Sequence, residues 1–504
     1  MTSKADLATL LPHESPLGAV DGVPVGVVHL AAEYDSLART GGLAEAVSGL
    51  AAYQVSQGIP VTVIIPLHRS VRSAAPQLER VGQPFTIQVG PRLEEGRLYR
   101  LPFEAGKPKV YCIEHEYFDR AGLYGESGSD YGDNPQRFAF FCMAALELLP
   151  RIARTPSILH AHDWHTALAP VYLRTIFANS TFHRGFRTVI SIHNAGFQGY
   201  YPAAMMPEVG LPWELFNWRH MEWYGQLNLL KGGLAFSDAA VTVSPTHAHE
   251  LRTVKGGFGL HDVFISLRNR FTGIINGIDF EEWNPETDPY ITSRYSQANL
   301  AGKRRCKAAL QRSFGLPQRQ KMPLFVMTAR MTSQKGLELI VGEYTLFMLE
   351  AQFIFLGTGE PRYEAMLKHY AARWPERISV HLGFTERIEH RLMAGADVYL
   401  MPSLYEPCGL AQMRAQRYGA IPLARRVGGL ADTVEDGVTG FLFDEYSSED
   451  LLRVARAVMD YYNDETVWHR LMRAGMSRDF SWARSGEKYT EVYRRVLADP
   501  PVQA

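Results

Sequence analysis

Short apolar runs, rich in Val and Ile and bounded by turn-forming residues, recur through the first half of the chain. They read VPVGVVHLAA, PVTVIIP, KVYCIEH, SILHAH, FRTVISIHN and AAVTVSP. These runs lack the clean alternation of apolar and polar residues that marks a half-exposed strand, so they predict strands buried on both faces of a parallel sheet. The second half repeats the pattern with MPLFVMTAR, AQFIFLG, ISVHLG, ADVYLMPS, AIPLAR and GFLFD.

Stretches of helical periodicity separate many of these runs. They cover residues 42–55, 137–149, 362–372 and 449–461. Strands that alternate with helices in both halves predict an α/β fold of two doubly wound domains that face each other across a cleft. Because ligands of such sheets bind at the carboxyl ends of the strands, we expect the cleft to hold the site.

The chain has 504 residues, which is more than one hydrophobic core usually supports. The loop-like sequences KGGFGLHDV and INGID indicate a join between two domains. We expect a flexible leader over residues 1–21, one domain over 22–265 and a second over 266–485. The last helical segment, 486–504, follows no strand, so the pattern leaves open which domain it packs on.

Charge and composition exclude several classes of partner. The 52 basic and 53 acidic side chains leave no excess charge for nucleic acid or an anionic membrane. No apolar segment approaches the length of a membrane span, which is about eighteen residues. The four cysteines show no C-x-x-C spacing, which predicts reduced thiols in a cytoplasmic protein rather than a disulfide framework or a zinc site.

The motif richest in candidate chemistry, PSLYEPCGLAQMRAQRYG, follows the predicted strand ADVYLM. It places Glu406 at the end of that strand and the Cys408-Gly409-Leu410 segment at the start of a helix. The free N–H groups and the positive end of a helix dipole suit a phosphate, and a carboxylate suits sugar hydroxyls. The alternative is that Glu406 only caps its helix.

A second motif, ARMTSQKGLELI, places Arg330 at a strand end and Lys335 on the turn before the next helix. Two cations in such positions would hold a leaving diphosphate and supply the charge neutralisation that many other transferases assign to a metal ion. The chain contains no Asp-x-Asp sequence, so we expect neither a metal ion nor a cofactor. The alternative is that both are ordinary surface cations.

Histidines cluster in the first half of the chain. HAHDWHTAL carries His160, His162, Asp163 and His165 within six residues. These are metal-ligand types, but we expect the strand-to-turn position to point their side chains in different directions, which argues against a metal site. SIHNAGFQGYY then places His193 at the end of the next strand. A histidine there can form a hydrogen bond with a sugar hydroxyl, and the alternative is a hydrogen bond with the backbone alone.

Two Gly-Gly turns far apart in the chain have almost the same sequence. RTGGLAEAV begins at Arg39 and RVGGLADTV begins at Arg426. A Gly-Gly pair between a basic residue and a helix lets the backbone approach a ligand phosphate closely. The alternative is that both are ordinary tight turns.

In this order, the motifs TGGLAEAV, HAHDWHTALAP, HNAGFQGYY, LLKGGLAFSDAAVTVSPT, NGID, TSQKGLEL, EPCGL and RRVGGLADTV resemble those of bacterial glycogen synthases and plant starch synthases. These are the retaining glucosyltransferases of glycosyltransferase family 5. The resemblance covers nearly the whole chain from Val25 to Leu497. It implies the GT-B architecture of two facing Rossmann-like domains, the first on the acceptor side and the second binding the nucleotide sugar, with the terminal helix crossing back to the first.

The resemblance also implies roles for the residues that would bind the donor. Arg330 and Lys335 would hold the diphosphate of an ADP-glucose-like donor and assist its departure. Backbone N–H groups at Gly409 and Leu410, next to Cys408, would contact the same group.

Glu406 would face the donor glucose, His193 would bind the transferred glucose, and Asp163 would lie near the reacting centre. Phe384 stands where the family often has a Tyr that stacks on the nucleotide base, so an aromatic face is kept. These roles are what the resemblance implies.

We further expect the Arg39 side chain and the Gly41-Gly42 turn to face the donor across the cleft from Glu406. The second Gly-Gly turn would line the C-terminal half of the same cleft. The motivation is that a diphosphate needs hydrogen-bond donors from more than one direction.

The chain departs from the family pattern at three positions. The family motif reads Lys-x-Gly-Gly-Leu where this chain has Arg39, and Arg replaces a compact ammonium with a planar fork. Ala411 replaces the usual Thr after EPCGL, and Arg414 stands where the family tends to carry an aromatic residue. These departures bear on donor preference and rate more than on fold.

The function that the resemblance implies is elongation of an α-1,4-glucan at its non-reducing end by glucose from ADP-glucose, with retention of configuration. We favour a front-face displacement through an oxocarbenium-like state over a covalent intermediate. One alternative is a related transferase that uses UDP-glucose or a small sugar acceptor. Another is a catalytically weakened glucan-binding protein that regulates a paralogue. The oligomeric state is left open.

Overall fold

The computed structural model describes residues 15–20, 22–126, 128–154, 157–342 and 345–502. The chain divides into two compact units. The first comprises Met1–Thr242, Leu251–Ile274 and Ser485–Ala504, and the second comprises Val243–Glu250 and Ile275–Arg484. The predicted boundaries at 21/22, 265/266 and 485/486 stay predictions. Of the predicted leader, residues 1–14 and 21 lie outside the described residues.

The main sheet of the first unit is mostly parallel. From one edge to the other its strands are Phe271–Gly273, Ala239–Thr242, Phe186–Ile192, Ser157–His162, Gly26–Leu30, Val61–Pro66, Lys109–Glu114, Arg92–Arg100 and Glu79–Val89. Arg92–Arg100 pairs antiparallel with both of its neighbours, Lys109–Glu114 and Glu79–Val89, and the other neighbouring strands pair parallel. Every residue of Gly26–Leu30, Val61–Pro66 and Ser157–His162 is buried, as the lack of polar alternation predicts.

The strand order of this sheet reverses between Gly26–Leu30 and Ser157–His162, which lie side by side. Connections leave this pair in opposite directions, and such a switch point opens a crevice at the carboxyl ends of the strands. The loop after Gly26–Leu30 leads to the first Gly-Gly turn, and Asp163 directly follows Ser157–His162. The topology therefore gathers these two predicted site segments.

Helices and short elements complete the first unit. Its α-helices are Gly42–Ser56, Arg69–Ala74, Asn134–Ile152, Leu168–Arg174, Met205–Glu208, Leu229–Phe236 and His261–Ser266. Its 3-10 turns are Glu116–Phe118, Trp164–Thr166, His183–Gly185, Trp213–Leu215 and Arg268–Arg270. Small antiparallel pairings join Ala19–Val20 to Val23–Pro24, Gly125–Glu126 to Ser129–Asp130, and Tyr200–Pro202 and Glu222–Trp223 to Gln226–Asn228.

The terminal helix, Trp482–Ala498, joins the first unit from Ser485 onward. It packs on the helix Gly42–Ser56 so closely that a Cβ at Gly486 would lie 2.0 Å from Tyr53 Cδ1. The Tyr493 hydroxyl accepts a hydrogen bond from Gln54 of the same helix at 3.0 Å. Glycine at 486 is therefore a packing requirement.

The second unit is built on an all-parallel sheet. Its strands, in spatial order, are Ile378–His381, Gln352–Leu356, Leu324–Thr328, Val398–Met401, Ile421–Arg425 and Phe441–Phe443. The order reverses between Leu324–Thr328 and Val398–Met401, so this unit is also doubly wound. The loops that follow these two strands carry the predicted donor-binding motifs.

Helices surround the sheet of the second unit in the chain. They are Pro245–Glu250, Ala301–Ser313, Leu337–Val341, Pro361–Arg373, Glu386–Gly395, Ala411–Arg417, Gly428–Thr433, Ser448–Asn463 and Glu465–Met476, with 3-10 turns at Ser333–Lys335 and Thr345–Met348. A continuous apolar core fills this unit, with Phe325, Ile354 and Tyr399 almost without exposure. Among the described residues, no helix is both long and apolar enough to cross a membrane.

Candidate active site

Lys335 and Glu406 form an ion pair at the switch point of the second unit. The Lys335 Nζ atom lies 2.6 Å from Glu406 Oε2, which also accepts a hydrogen bond from Ser403 Oγ at 3.0 Å. The Glu406 side chain is 8% exposed and that of Lys335 is 24% exposed. Because the carboxylate is nearly buried, these contacts fix its position and direct it toward the cation.

Glycine at position 336 makes this ion pair sterically feasible. Gly336 has a φ of 71°, and a Cβ there would lie 1.8 Å from the Pro402 carbonyl oxygen. The Leu404 N–H donates to the Gln334 carbonyl at 2.8 Å across the same contact. The turn after Leu324–Thr328 therefore packs directly on the loop after Val398–Met401, which brings Lys335 to Glu406.

The segment Cys408-Gly409-Leu410 leads into the helix Ala411–Arg417. Gly409 has a φ of 69°, a left-handed conformation that favours glycine. Leu410 is the N-cap residue, and its apolar side chain makes no cap hydrogen bond. The Glu406 carboxylate contacts Lys335 and Ser403 instead, which does not support its alternative role as the helix cap. Burial raises the pKa of Cys408 to about 12, which keeps its thiol neutral.

Arg330 and Phe384 follow two strands of the same sheet that are separated by the strand Gln352–Leu356. Arg330 is exposed just after Leu324–Thr328. Phe384 lies between Ile378–His381 and the helix Glu386–Gly395, and is 51% exposed. An aromatic side chain this accessible at the carboxyl end of a sheet offers a stacking face to a ligand.

Arg414 has a packing role in the second unit. Its guanidinium lies 4.0 Å from the centre of the Trp283 ring, and its Nη1 is 3.4 Å from Glu389 Oε1. The side chain is 6% exposed. The departure from the family pattern at this position therefore affects a buried stack.

Asp163 and His193 meet at the switch point of the first unit. The backbone N–H of His193 donates to Asp163 Oδ1 at 2.7 Å. Burial, with a smaller contribution from the nearby Glu33 carboxylate, raises the pKa of Asp163 to about 7. Asp163 also has a φ of 57° and a ψ of −176°, which is strained for a residue with a side chain. Strain and a perturbed carboxyl at the same residue are typical of a functional position.

The first Gly-Gly turn is held by acidic residues of its own loop. Arg39 pairs with Asp35 at 3.3 Å and with Glu45. The Thr40 N–H and hydroxyl donate to the Glu33 carboxylate at 2.7 and 2.6 Å. Glu33 is buried and also accepts a hydrogen bond from the Tyr124 hydroxyl at 2.6 Å.

The expectation that the side chains of HAHDWHTAL point apart is wrong for His160 and His162. Residues two apart on a strand share a face, and these rings stack with centroids 4.3 Å apart. His29 lies beside them, because it pairs with His160 in register across adjacent strands. His165 behaves as expected, since its ring stacks on Tyr124 instead, with centroids 4.4 Å apart.

Two groups of described residues have potential ligand atoms within 4.8 Å of one another: His29, His160 and His162 in the first unit, and Glu282, Glu386 and His390 in the second. In the first group both nitrogens of every ring engage in hydrogen bonds to other side chains. In the second, His390 Nδ1 contacts Asp288 Oδ2 at 2.7 Å. The absence of a metal requirement stays a prediction.

The structure thus brings Lys335 to Glu406 and Asp163 to His193. Glu33 was missed, although it follows a buried strand as Asp163 does, so the same reasoning could have found it. His29 was also missed; a histidine inside an apolar strand was its only signal. That Arg39 faces the donor stays a prediction.

Comparisons with known proteins identify the family of the chain. The family model of the starch synthase catalytic domain matches residues 26–266, and that of group 1 glycosyl transferases matches residues 311–475. A glycogen synthase of Anaeromyxobacter sp. (strain Fw109-5) is 41% identical in an alignment of 480 residues that covers 94% of this chain and 99% of that protein. The chain belongs to the glycogen synthase and starch synthase family. A glycogen synthase of Koribacter versatilis is 39% identical in an alignment of 496 residues that covers 94% of this chain and 100% of that protein.

Solved structures show that this chain has the GT-B fold. The catalytic domain of starch synthase IV from Arabidopsis thaliana, bound to ADP and acarbose, has a TM-score of 0.86 and 32% identity, covering 94% of this chain and 100% of that one. Sucrose-phosphate synthase from Thermosynechococcus elongatus, at a TM-score of 0.60 and 15% identity over 94% of this chain and 99% of its own, shares the fold. The predicted family, the α/β GT-B fold class and the glycosyltransferase activity are confirmed.

Proposed function

We propose that this glycosyltransferase moves glucose from ADP-glucose to the non-reducing end of an α-1,4-glucan with retention of configuration. The observation that carries the proposal is the similarity, over 94% of the chain, to starch synthase IV bound to ADP and acarbose. ADP is the leaving group of ADP-glucose, and acarbose is an oligosaccharide analogue. The alternatives, UDP-glucose with a small acceptor or a regulatory paralogue, are not favoured.

In the second unit, Lys335 and Arg330 would neutralise the leaving diphosphate. Lys335 is paired with Glu406 at 2.6 Å, so an arriving diphosphate competes with a carboxylate already in contact with this cation. The N–H groups at Gly409 and Leu410 precede a helix without a side-chain cap, and they would donate to the same phosphates. Fixed donors aimed at developing charge lower the barrier because they need no reorganisation during the reaction.

Glu406 would contact the hydroxyls of the donor glucose. The Ser403 and Lys335 contacts hold its carboxylate in place, and a positioned acceptor binds a sugar hydroxyl without further loss of side-chain freedom. Phe384 would stack on the adenine ring through its exposed face.

In the first unit, His193 would bind the transferred glucose and Asp163 would lie near the reacting carbon. An ionised Asp163 favours a positively charged, oxocarbenium-like glucose, and its raised pKa of about 7 ties that ionisation to pH. We favour front-face departure and attack on the same side of the sugar, with the acceptor hydroxyl passing its proton to the departing diphosphate.

We also propose that the enzyme acts in the cytoplasm. The support is that all four cysteines are buried as free thiols, which suits a reducing compartment.

Product analysis tests the proposed function. Purified protein is incubated with maltooligosaccharides and either ADP-glucose or UDP-glucose, and the products are separated by length and digested with an enzyme specific for α-1,4 bonds. We expect stepwise α-1,4 extension with a higher kcat/KM for ADP-glucose. A higher kcat/KM for UDP-glucose would contradict the donor assignment.

The same assay with EDTA tests the proposed charge neutralisation by Arg330 and Lys335. We expect the rate of extension to stay the same in EDTA, because these side chains supply the positive charge. Loss of the rate in EDTA and its return with Mg²⁺ or Mn²⁺ would contradict this mechanism.

A further inference from the structure

A continuous row of hydrogen bonds connects the helix Gly42–Ser56 to His193 through the sheet of the first unit. Gln54 Oε1 lies 2.7 Å from His29 Nε2, and His29 Nδ1 lies 3.0 Å from His162 Nε2. His162 Nδ1 in turn lies 3.1 Å from His193 Nε2. We call these four residues the histidine relay.

A second row of hydrogen bonds connects Gln54 of the relay to the terminal helix. Gln54 Nε2 donates to the Tyr493 hydroxyl at 3.0 Å, and that hydroxyl lies 2.7 Å from His160 Nδ1. His160 Nε2 lies 2.7 Å from Ser191 Oγ. The orientation of the Gln54 amide is therefore tied to a second row of partners.

Water does not compete for the bonds of the first three members of the row. His29 and Gln54 are 0% exposed and His162 is 1% exposed, whereas His193 at the end of the row is half-buried. Burial lowers the pKa of His29 and of His193 to about 4, and holds that of His162 well below its ordinary value. Each ring is therefore neutral at pH 7, and has one nitrogen that donates and one that accepts.

Neutral rings in a row must all point the same way. The amide oxygen of Gln54 accepts, so His29 donates from Nε2 and accepts at Nδ1. His162 then donates from Nε2 to His29 and accepts at Nδ1, and His193 donates from Nε2 to His162. Rotating the Gln54 amide by half a turn would reverse every member of the row, so the amide selects between two complete arrangements.

We infer that Gln54, His29 and His162 are positioning residues that set which ring nitrogen of His193 carries hydrogen. In the arrangement described, His193 Nδ1 carries no hydrogen and can accept a hydrogen bond from a sugar hydroxyl. The consequence for catalysis rests on the proposed function, in which His193 binds the transferred glucose. The tautomer of His193 itself does not depend on that function.

The test is nitrogen NMR of the full chain labelled with ¹⁵N-histidine, in which protonated and bare ring nitrogens have well separated shifts. Loss of one signal set in His193→Gln identifies the His193 resonances. The variants are Gln54→Leu, which removes the amide, and Tyr493→Phe, which removes only the hydroxyl that orients it. Tyr172→Phe is the matched control, because Tyr172 is a buried tyrosine of the same unit whose hydroxyl donates to the Val209 carbonyl.

We expect wild type and Tyr172→Phe to show His193 protonated at Nε2 alone. Gln54→Leu and Tyr493→Phe should each show both tautomers at His193. Wild-type His193 shifts in both of these variants, with native thermal unfolding, would overturn the relay. Should Gln54→Leu fail to fold, Tyr493→Phe alone decides.

Rates of glucan extension separate the relay from the proposed function. A mixed tautomer should lower kcat/KM for ADP-glucose in proportion to the fraction of His193 that keeps the accepting tautomer, by about two- to tenfold when that fraction is about a half to a tenth. A mixed tautomer with an unchanged rate supports the relay and contradicts the role proposed for His193.

Discussion

The two Gly-Gly turns, RTGGLAEAV and RVGGLADTV, have nearly the same sequence, yet glycine is required for different reasons. At Gly428 φ is 43°, and a Cβ would lie 1.9 Å from the Glu406 carbonyl oxygen; at Gly429 a Cβ would lie 2.0 Å from the Cys408 carbonyl. At Gly41 φ is −167°, which any residue adopts, and a Cβ would meet no atom within 4 Å. The second turn needs both glycines for its own packing, whereas Gly41 of the first turn is not needed for that reason.

The helices after the two turns differ in the same way. The Gly428 N–H at the start of the short helix Gly428–Thr433 donates to Glu250 Oε1 at 2.9 Å. At the longer helix Gly42–Ser56 the N-cap residue is Gly41, which has no side chain, and the carboxylate of Glu33 accepts from Thr40 before the helix begins, at 2.7 Å from its N–H. The two turns therefore differ in where the carboxylate binds: on the first helical residue in the second turn and before the helix in the first, where N–H groups of the first helical turn can serve an anion.

The second turn is therefore a support for the loop that carries Glu406. The Gly429 N–H donates to the Glu406 carbonyl at 3.0 Å. The first turn, in contrast, has the open approach that a phosphate needs. Similar sequences thus indicate the same local turn, and the residues packed around each turn determine its role.

The largest effect is expected from Gly429→Ala. The new methyl group would overlap the Cys408 carbonyl, so we expect the free energy of unfolding to fall by about 3 kcal/mol and the rate of extension to fall with the displaced Glu406 loop. Denaturant unfolding and initial rates measure both. Native stability would mean that the second turn is not a packed support.

The carboxyl group of Asp163 should make catalysis pH-dependent. Because Asp163 has a pKa raised to about 7 and is proposed to act when ionised, kcat/KM should fall about tenfold per unit as pH drops below 7. Lowering the pH protonates the carboxylate, so the loss is on the acid side. Asp163→Asn should be slower and lack this acid limb. An acid limb that persists in Asp163→Asn would assign it to another group.

A smaller effect is expected from Gly41→Ala. Its methyl group meets no protein atom, so the free energy of unfolding should stay within about 0.5 kcal/mol of wild type. It would crowd a ligand at the helix N-terminus, so KM for ADP-glucose should rise about five- to tenfold. Unchanged stability together with unchanged KM would make the first turn an ordinary turn.

The sequence was sufficient for the other parallel strands of both sheets, because most of them are buried apolar runs, but it did not predict the short parallel edge strand Phe271–Gly273, of which only Phe271 is buried. It did not predict the edge hairpin of Glu79–Val89 and Arg92–Arg100, whose residues alternate between buried and exposed and include many charges. Glu406 and Lys335 could be selected because they follow strands of a doubly wound pattern.

Contacts between strands could not be predicted in the same way. His29 and His160 become neighbours only through the strand order and register of the first unit. The pairing of Arg39 with Asp35 and Glu45 was also not predicted. These two residues lie on either side of the turn in the sequence, and only the folded backbone brings both of them to Arg39.

The most direct test of the comparison is the kcat of Arg39→Ala beside that of Arg426→Ala, with ADP-glucose and a maltooligosaccharide. Both arginines pair with two carboxylates, Arg39 with Asp35 and Glu45, and Arg426 with Asp436 and Asp444. We predict that Arg39→Ala lowers kcat by about ten- to a thousandfold, that Arg39→Lys preserves it, and that Arg426→Ala stays within about twofold of wild type. Unchanged kcat and KM in Arg39→Ala, or an equal loss in both alanine variants, would contradict the distinction between the two turns.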